Sequence, residues 1–295
     1  MTKNDITRGL IDFAVSQCLK NIKEDPYRSI RRLADLGRQF AKGRFQEELF
    51  SLFQRLLLNE DGPYYEMLKQ LVSSVDTDFL KTLGINIGYN SWTCGASRLR
   101  QITAEKDYPH WLAEISLSPE SSASQLKEQL SAALKNGTYA FRLHMPAQSI
   151  TTDTRQLGLI REFPDCSFFL DFMDTDCTYS DDLLELTCSC DNLAFLVPFG
   201  SLQSRQLVDL LNARQRIYGV CRTYDNTNAA ERISDSQISE MLSWGSPLLF
   251  FLAAADTTQD NRLLVDNAIL DARLHQTYPA LLIHLDADVA RIQQL

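Results

Sequence analysis

A chain of 295 residues with 44% hydrophobic residues, 9 Pro and 12 Gly has the material for one large barrel, or a barrel beside a smaller domain, and is not a disordered or fibrous composition. No apolar run approaches the roughly 18 to 20 residues that cross a bilayer, and the opening MTKNDITRGL has no apolar signal core, so a cytoplasmic protein without a membrane partner is expected. The formal charge of −9 is uneven: residues 1–110 carry 16 Lys/Arg against 14 Asp/Glu and the remainder 13 against 24, which disfavours a nucleic-acid groove.

From Asp5 to about Leu80 the apolar residues recur at helical spacing. Ile6, Leu10, Phe13 and Ala14 open a stripe, and Asp25-Pro26 starts a new helix continued by Ile30, Leu33 and Leu36. Gly43 interrupts; Phe45, Leu49, Phe50, Phe53 and Leu57 form the next stripe, and Asp61-Gly62-Pro63 ends it and begins another through Tyr64, Met67 and Leu71. Residues 1–83 therefore read as an all-α domain of four to five helices. The basic cluster of Arg28, Arg31, Arg32, Arg38, Lys42 and Arg44 on it reads as a solvated helix face. Residues 84–110 read as a linker, and its start, Gly84 to Gly95, is too aromatic to be a plain spacer; Tyr89 and Trp92 are expected to anchor it against a barrel formed by the rest of the chain.

Residues 111–295 change rhythm. Leu112 to Leu117 is a short apolar run, Ser122 with Gln125 is a capping-box start, Leu126, Leu130 and Leu134 share one helical face, and Asn136-Gly137 stops the helix before Tyr139 to Leu143. A crossover helix between two apolar strands makes them parallel. The beat then repeats every 25 to 30 residues or so. Strands are expected at Ser167 to Met173, Leu193 to Phe199, Ile217 to Thr223, Pro247 to Ala254 and Leu281 to Asp286. Helices are expected at Leu157 to Phe163, after Ser180-Asp181-Asp182, at Gln203 to Arg214, from a second capping box at Ser234 and Gln237 to Gly245, and at Asn261 to Leu274. The fold class is α/β: a partial TIM-like barrel of six or seven parallel strands behind an all-α N-terminal domain.

The ligand end of such a barrel is the carboxyl end of its strands. The polar residues falling there include Glu114, Arg142, His144, Asp171, Asp174, Asp176, Arg222, Tyr224, Asp225, Asn226, Asp256, His284 and Asp286, and their carboxylates outnumber their cations. A ligand, if small, is then expected to be cationic or metal-bound. The candidate ligand set is Glu114, His144, Asp171, Asp174, Arg222, Asp225 and Asp286; His144 is of the type that serves as acid or base near neutral pH, and Asp171 with Asp174 could meet a hard cation. No phosphate-cradling glycine loop, nucleophile elbow, HExxH or CxxC pair occurs. Seven cysteines, an odd number at irregular spacing, read as reduced thiols. Cys188-Ser-Cys190 with Cys177 lacks the spacing of a zinc or iron-sulfur site.

Asp25-Pro26 and the helices after it, Asn136-Gly-Thr-Tyr-Ala-Phe, Asp165-Cys-Ser-Phe-Phe-Leu, Asn192-Leu-Ala-Phe-Leu-Val-Pro, Ile217-Tyr-Gly-Val-Cys-Arg-Thr-Tyr, and Ser234 to Trp244-Gly followed by Leu248-Leu-Phe-Phe together resemble a bacterial group of radical S-adenosylmethionine proteins that has a helical amino-terminal region. The likeness is one of order and local pattern over most of the chain. The family's CxxxCxxC would fall after Ile115, where this chain has Ser116 to Ser124, and there is no cysteine between Cys94 and Cys166. Its Gly-Gly-Glu-Pro turn would fall at Leu143-His-Met-Pro146, which keeps only the proline. Longer relatives continue into a cysteine-rich extension, whereas this chain ends soon after Asp288. The resemblance therefore implies the family's barrel without cluster, cofactor or catalytic residues: a degenerate, non-catalytic protein, with a cluster-bearing relative or another protein as partner. The alternative is an enzyme of another class using His144, Asp171 and Asp174 on a small ligand.

Overall fold

The computed structural model describes residues 3–20, 22–41, 44–102, 110–116, 122–145, 155–172, 184–185 and 188–294. Five helices come first: α1 (Lys3–Leu19), α2 (Pro26–Phe40), α3 (Arg44–Leu56), α4 (Pro63–Ser74) and α5 (Thr77–Ile85). Their starts are set by local chemistry. Asp25 precedes α2 and its Oδ1 accepts from the Arg28 amide at 3.1 Å, with Pro26 in the first turn, and Asp76 caps α5 by accepting from the amides of Asp78 and Phe79 at 3.0 Å.

Residues 84–102 of the expected linker are helical, and 103–109 lie outside the described residues. α5 runs on into a wide-turned π segment, Asn86–Gly95, and then α6 (Ala96–Ile102). Such widening is rare and needs compensation from outside the helix. Here Asn86 Nδ2 donates to the carbonyls of Pro164 and Cys166 at 2.9 Å, and Asn90 Nδ2 donates to Asp165 O and to Asn86 Oδ1 at 2.9 Å. The two expected anchors divide the work. Trp92 joins the barrel side, edge-on to Trp111 at 5.8 Å between ring centres, whereas Tyr89 packs with Ile11 and Ile85 in the helical layer.

The rest alternates strand and helix: β1 (Leu112–Ser116), α7 (Ala123–Asn136), β2 (Ala140–Met145), α8 (Arg155–Glu162), β3 (Ser167–Phe172), β4 (Leu193–Pro198), α9 (Leu202–Ala213), β5 (Tyr218–Tyr224), α10 (Ala229–Arg232), α11 (Asp235–Leu242), β6 (Leu248–Ala253), α12 (Gln259–His275), β7 (Leu281–His284) and α13 (Leu285–Gln294). All seven strands are parallel and lie in sequence order, curled into a half-barrel. Two details differ from the sequence reading. The last strand stops at His284, because Asp286 and Asp288 lie in the first turn of a further helix, α13. Ser234 precedes α11 but makes no capping hydrogen bond; its hydroxyl pairs with Ser236 instead. Of the helix expected after Ser180, only Leu184, Glu185 and Cys188 are among the described residues, and these are helical.

Strand alternation sorts the side chains onto two faces. Phe141, Leu143, Phe168, Leu170, Phe195, Val197, Val220, Leu249 and Phe251 face the helices and form the main core with residues such as Leu130, Ile160, Leu207, Met241 and Val265. The concave face has smaller residues, Ala140, Leu196 and Cys221, with Phe250; it is covered by Leu99, Trp92, Trp111 and the Leu285, Val289 and Ile292 stripe of α13. Gly219 belongs to this face because any Cβ there would sit 2.2 Å from the Phe250 ring. That apolar floor leaves the carboxyl ends of β1 to β3 as the place where concave-face polar groups gather.

Candidate functional site

Register and parity assemble the group. Glu114 of β1 lies beside Arg142 of β2, and Ser116 beside His144, which lies beside Asp171 of β3. Residues two apart share a face, so Glu114, Arg142, His144 and Asp171 all project from the concave side at its carboxyl end. Arg142 donates from Nη1 to Glu114 Oε1 at 3.0 Å and from Nη2 to Asp171 Oδ2 at 2.7 Å. His144 reaches the same two partners, with Nε2 3.6 Å from Glu114 Oε2 and Nδ1 3.2 Å from Asp171 Oδ2. Two cations thus bridge two carboxylates in a closed ring, and the anionic excess counted along the sequence is balanced within this group. Arg142, Asp171 and His144 are 10%, 13% and 18% exposed at the side chain, whereas Glu114 is 50% exposed and forms the solvent edge.

The ring sets its own protonation. Contacts first to Asp171 and then to Glu114 push the His144 pKa up to about 9, against the opposing effects of burial and of Arg142. His144 is therefore an imidazolium at neutral pH, able to give a proton and not to take one. The His144 contact, followed by Arg142, pulls Glu114 down to about 2 despite its partial burial. For Arg142 burial opposes the charge, but Asp171 and then Glu114 outweigh it and hold the guanidinium more firmly protonated.

The other sequence candidates stand apart. Arg222 has the opposite parity to the concave-face Cys221 and lies on the helix side, its guanidinium 4.7 Å from the centre of the Phe199 ring. Asp225 is in a turn, where Oδ1 accepts from the amide and hydroxyl of Thr227 at 2.7 Å. Asp286 is in α13, paired with Arg262 at 3.0 Å. Asp174 and Asp176 lie outside the described residues. Arg142, absent from the candidate ligand set, is the centre of the ring; its signal was its place two residues before His144 in an alternating strand.

A second polar network takes in Tyr224 and His284, both among the strand-end residues named above, and lies on the helix side of β5 and β7. Tyr224 Oη and His284 Nε2 are 2.7 Å apart, His284 Nδ1 is 3.5 Å from Asp266 of α12, and Asp266 accepts from Arg291, which also pairs with Asp288. Burial lowers the His284 pKa, so this imidazole is neutral, and Tyr224 and His284 are 1% and 2% exposed. Both groups are buried, and the network ties α12 and α13 to the sheet.

The thiols among the described residues do not compose a cluster site. Cys166 sits at the amino end of β3 and burial raises its pKa to about 12; Cys221, on the concave face, and Cys190 are also raised by burial. None of these is at the end of β1. Among the described residues no group of three His, Cys, Asp or Glu has the geometry of a metal site.

No family model and no curated protein matches the chain. Among solved structures, it is similar to Streptococcus suis SuiB bound to S-adenosylmethionine, at 8% identity and TM-score 0.45 over 58% of this chain and 46% of that one. A second structure of Streptococcus suis SuiB matches at 8% identity and TM-score 0.46 over 73% and 64%. A member of the enolase superfamily from Listeria innocua matches at 16% identity and TM-score 0.37 over 88% and 61%. The matched stretch spans less than two thirds of each of these three chains.

Proposed function

We propose that this chain is a radical-SAM-like half-barrel that works by binding, as a partner or regulatory subunit of another protein, without radical chemistry of its own. The observation that carries this reading is what occupies the carboxyl ends of β1 to β3. Where the resemblance calls for three thiolates and a cofactor-binding glutamate, the chain has no cysteine between Cys94 and Cys166, and the strand ends hold the neutralised ring of Glu114, Arg142, His144 and Asp171. A hydroxyl-rich loop does not replace thiolate ligands to iron. The test is anaerobic purification with iron and sulfide analysis and a calorimetric titration with S-adenosylmethionine. The expected result is no stoichiometric iron, no cofactor binding, and a second protein retained through affinity purification from the native host. An iron-loaded sample, or a protein that purifies strictly alone, overturns the reading.

One observation favours a second reading, a non-radical enzyme: His144 lies at the ligand end behind the half-exposed Glu114, and its contacts to Asp171 and Glu114 favour the imidazolium, the form that acts as a general acid. In that case His144→Gln removes turnover of a small molecule while leaving the fold intact. Small-molecule binding that is unchanged in both His144→Gln and Asp171→Asn removes the basis for it.

A further inference from the structure

The helical layer is hollow. Between α1, α2, α3, α4, α5 and the π segment lies a cavity of about 350 Å³, within the range of roughly 300–1,000 Å³ typical of small-molecule sites. Among the described residues its walls are aliphatic and aromatic, and the polar side chains there are Lys81, Tyr89 and Thr93. Thr93 already donates to Gly88 O, and Tyr89 is engaged with its own neighbours. A hollow with so little polar lining does not hold ordered water well, and cavities of this kind bind apolar molecules. Close-packed interiors otherwise leave few voids larger than a water molecule.

Two features make this a built cavity and not a loose joint. Gly84 and Gly88, four apart on one helical face, both line it, and a Cβ placed on either would meet nothing within 4 Å. Neither glycine is required by a positive φ or by a neighbouring atom; their effect is to widen the hollow and its mouth. Lys81 lies one turn before Gly84 on the same face. Its ammonium is 3.6 Å from Asp12 and 3.9 Å from Asp78, both loose pairings, and it is 23% exposed. An apolar slot with the Lys81 ammonium in its wall fits a slender chain with an anionic end. We propose that the helical layer binds one long-chain fatty acid, with the acyl chain in the hollow and the carboxylate at Lys81.

The full-length protein, stripped of lipid, is titrated with the fluorescent fatty acid cis-parinaric acid and the probe is then displaced with palmitate or with hexadecanol. Expected are saturable binding of one probe per chain, displacement by palmitate, and a loss of palmitate affinity of fivefold or more in Lys81→Met, with hexadecanol affinity unchanged. Gly84→Leu and Gly88→Leu place a side chain in the hollow; each is expected to fold with an equal or higher melting temperature and to lose at least tenfold in probe affinity. Absence of saturable binding by the wild type overturns the proposal, as does undiminished binding in both leucine variants when they fold. Unchanged palmitate affinity in Lys81→Met overturns the assignment of the carboxylate. The test reads the helical layer alone, so its outcome is separate from that of the iron and cofactor measurements.

Discussion

At Asp171 a single carboxylate oxygen, Oδ2, serves both Arg142 and His144, and this makes it the most consequential atom of the barrel mouth. Replacing one partner of a buried ion pair leaves the remaining charges uncompensated, which typically costs about 3–5 kcal/mol. Asp171→Asn should therefore lower unfolding stability by roughly 3 kcal/mol, read from urea midpoints, whereas Glu114→Gln, at the half-exposed edge, should cost about 1 kcal/mol or less. The pH dependence has two limbs. The folded pKa of His144 is raised to about 9 from an ordinary 6.5, so its contribution is complete below about pH 6.5 and disappears as pH rises through 9. Glu114 is lowered to about 2 from 4.5, so its contribution is complete above about pH 4.5 and disappears as pH falls toward 2. Imidazole NMR should show His144 titrating near pH 9 in the wild type and closer to neutrality in Asp171→Asn; a wild-type value near 6.5 would refute the ring. This much of the mouth was legible in the sequence, since Glu114, His144 and Asp171 fall at strand ends with matching parity. Arg222 was not separable from them by position along the chain. Its placement on the far face follows from the register of β5, with Cys221 and Thr223 inward, and register is a property of paired strands.

Among the elements, α7 and α11 test how far a capping motif can be read from letters alone. Both follow a serine with a glutamine three positions on, yet only Ser122 and Gln125 exchange both bonds, at 3.2 and 3.0 Å. Before α11 the Ser234 hydroxyl turns to Ser236, a local competitor that the motif does not encode. Ser122→Ala should cost about 1 kcal/mol in denaturant unfolding, and Ser234→Ala no more than about 0.5 kcal/mol; equal losses would contradict the difference between the two caps. The apolar strands and most helices were visible because period-2 and period-3.6 patterns are local. The π segment was not, because its widened turns are held by Asn86 and Asn90 reaching carbonyls near residue 165, about 75 residues away. A close backbone approach completes that docking. Gly137 ends α7 with φ +103°, and a Cβ on Gly95 would lie 2.2 Å from its carbonyl oxygen. With backbone as the obstacle, Gly95→Ala cannot be relieved by a rotamer change and should destabilise by about 1–3 kcal/mol.

At the scale of the molecule, the helical layer is joined to the amino-terminal end of the half-barrel by interior contacts as well as surface ones. Val75, Phe79 and Leu83 pack with Ala194 of β4, with Phe169 and Ile217 beside them, and the Arg216 guanidinium lies 4.8 Å from the centre of the Phe79 ring. Around this patch the Asp76 amide donates to Gln215 O at 2.9 Å, Gln70 reaches Gly245 O at 3.1 Å, and Arg8 pairs with Asp165. The joint lies at the end of the sheet opposite the carboxyl ends that carry the charged ring, and the layer covers the strands' starts. Such shared burial couples the two parts energetically: if either unfolds, Phe79, 1% exposed in the native chain, enters water. Thermal and urea unfolding of the intact chain should accordingly show one transition, with far-ultraviolet circular dichroism and the fluorescence of Trp92, Trp111 and Trp244 superimposing. Phe79→Ala should lower stability by about 3–5 kcal/mol, the range for emptying a buried aromatic site. It should also split the probes if the joint is what makes the transition single. Two transitions in the wild type would instead mean that the layer and the half-barrel are separate folding units, and that the polar bonds of the π segment are not enough to unite them.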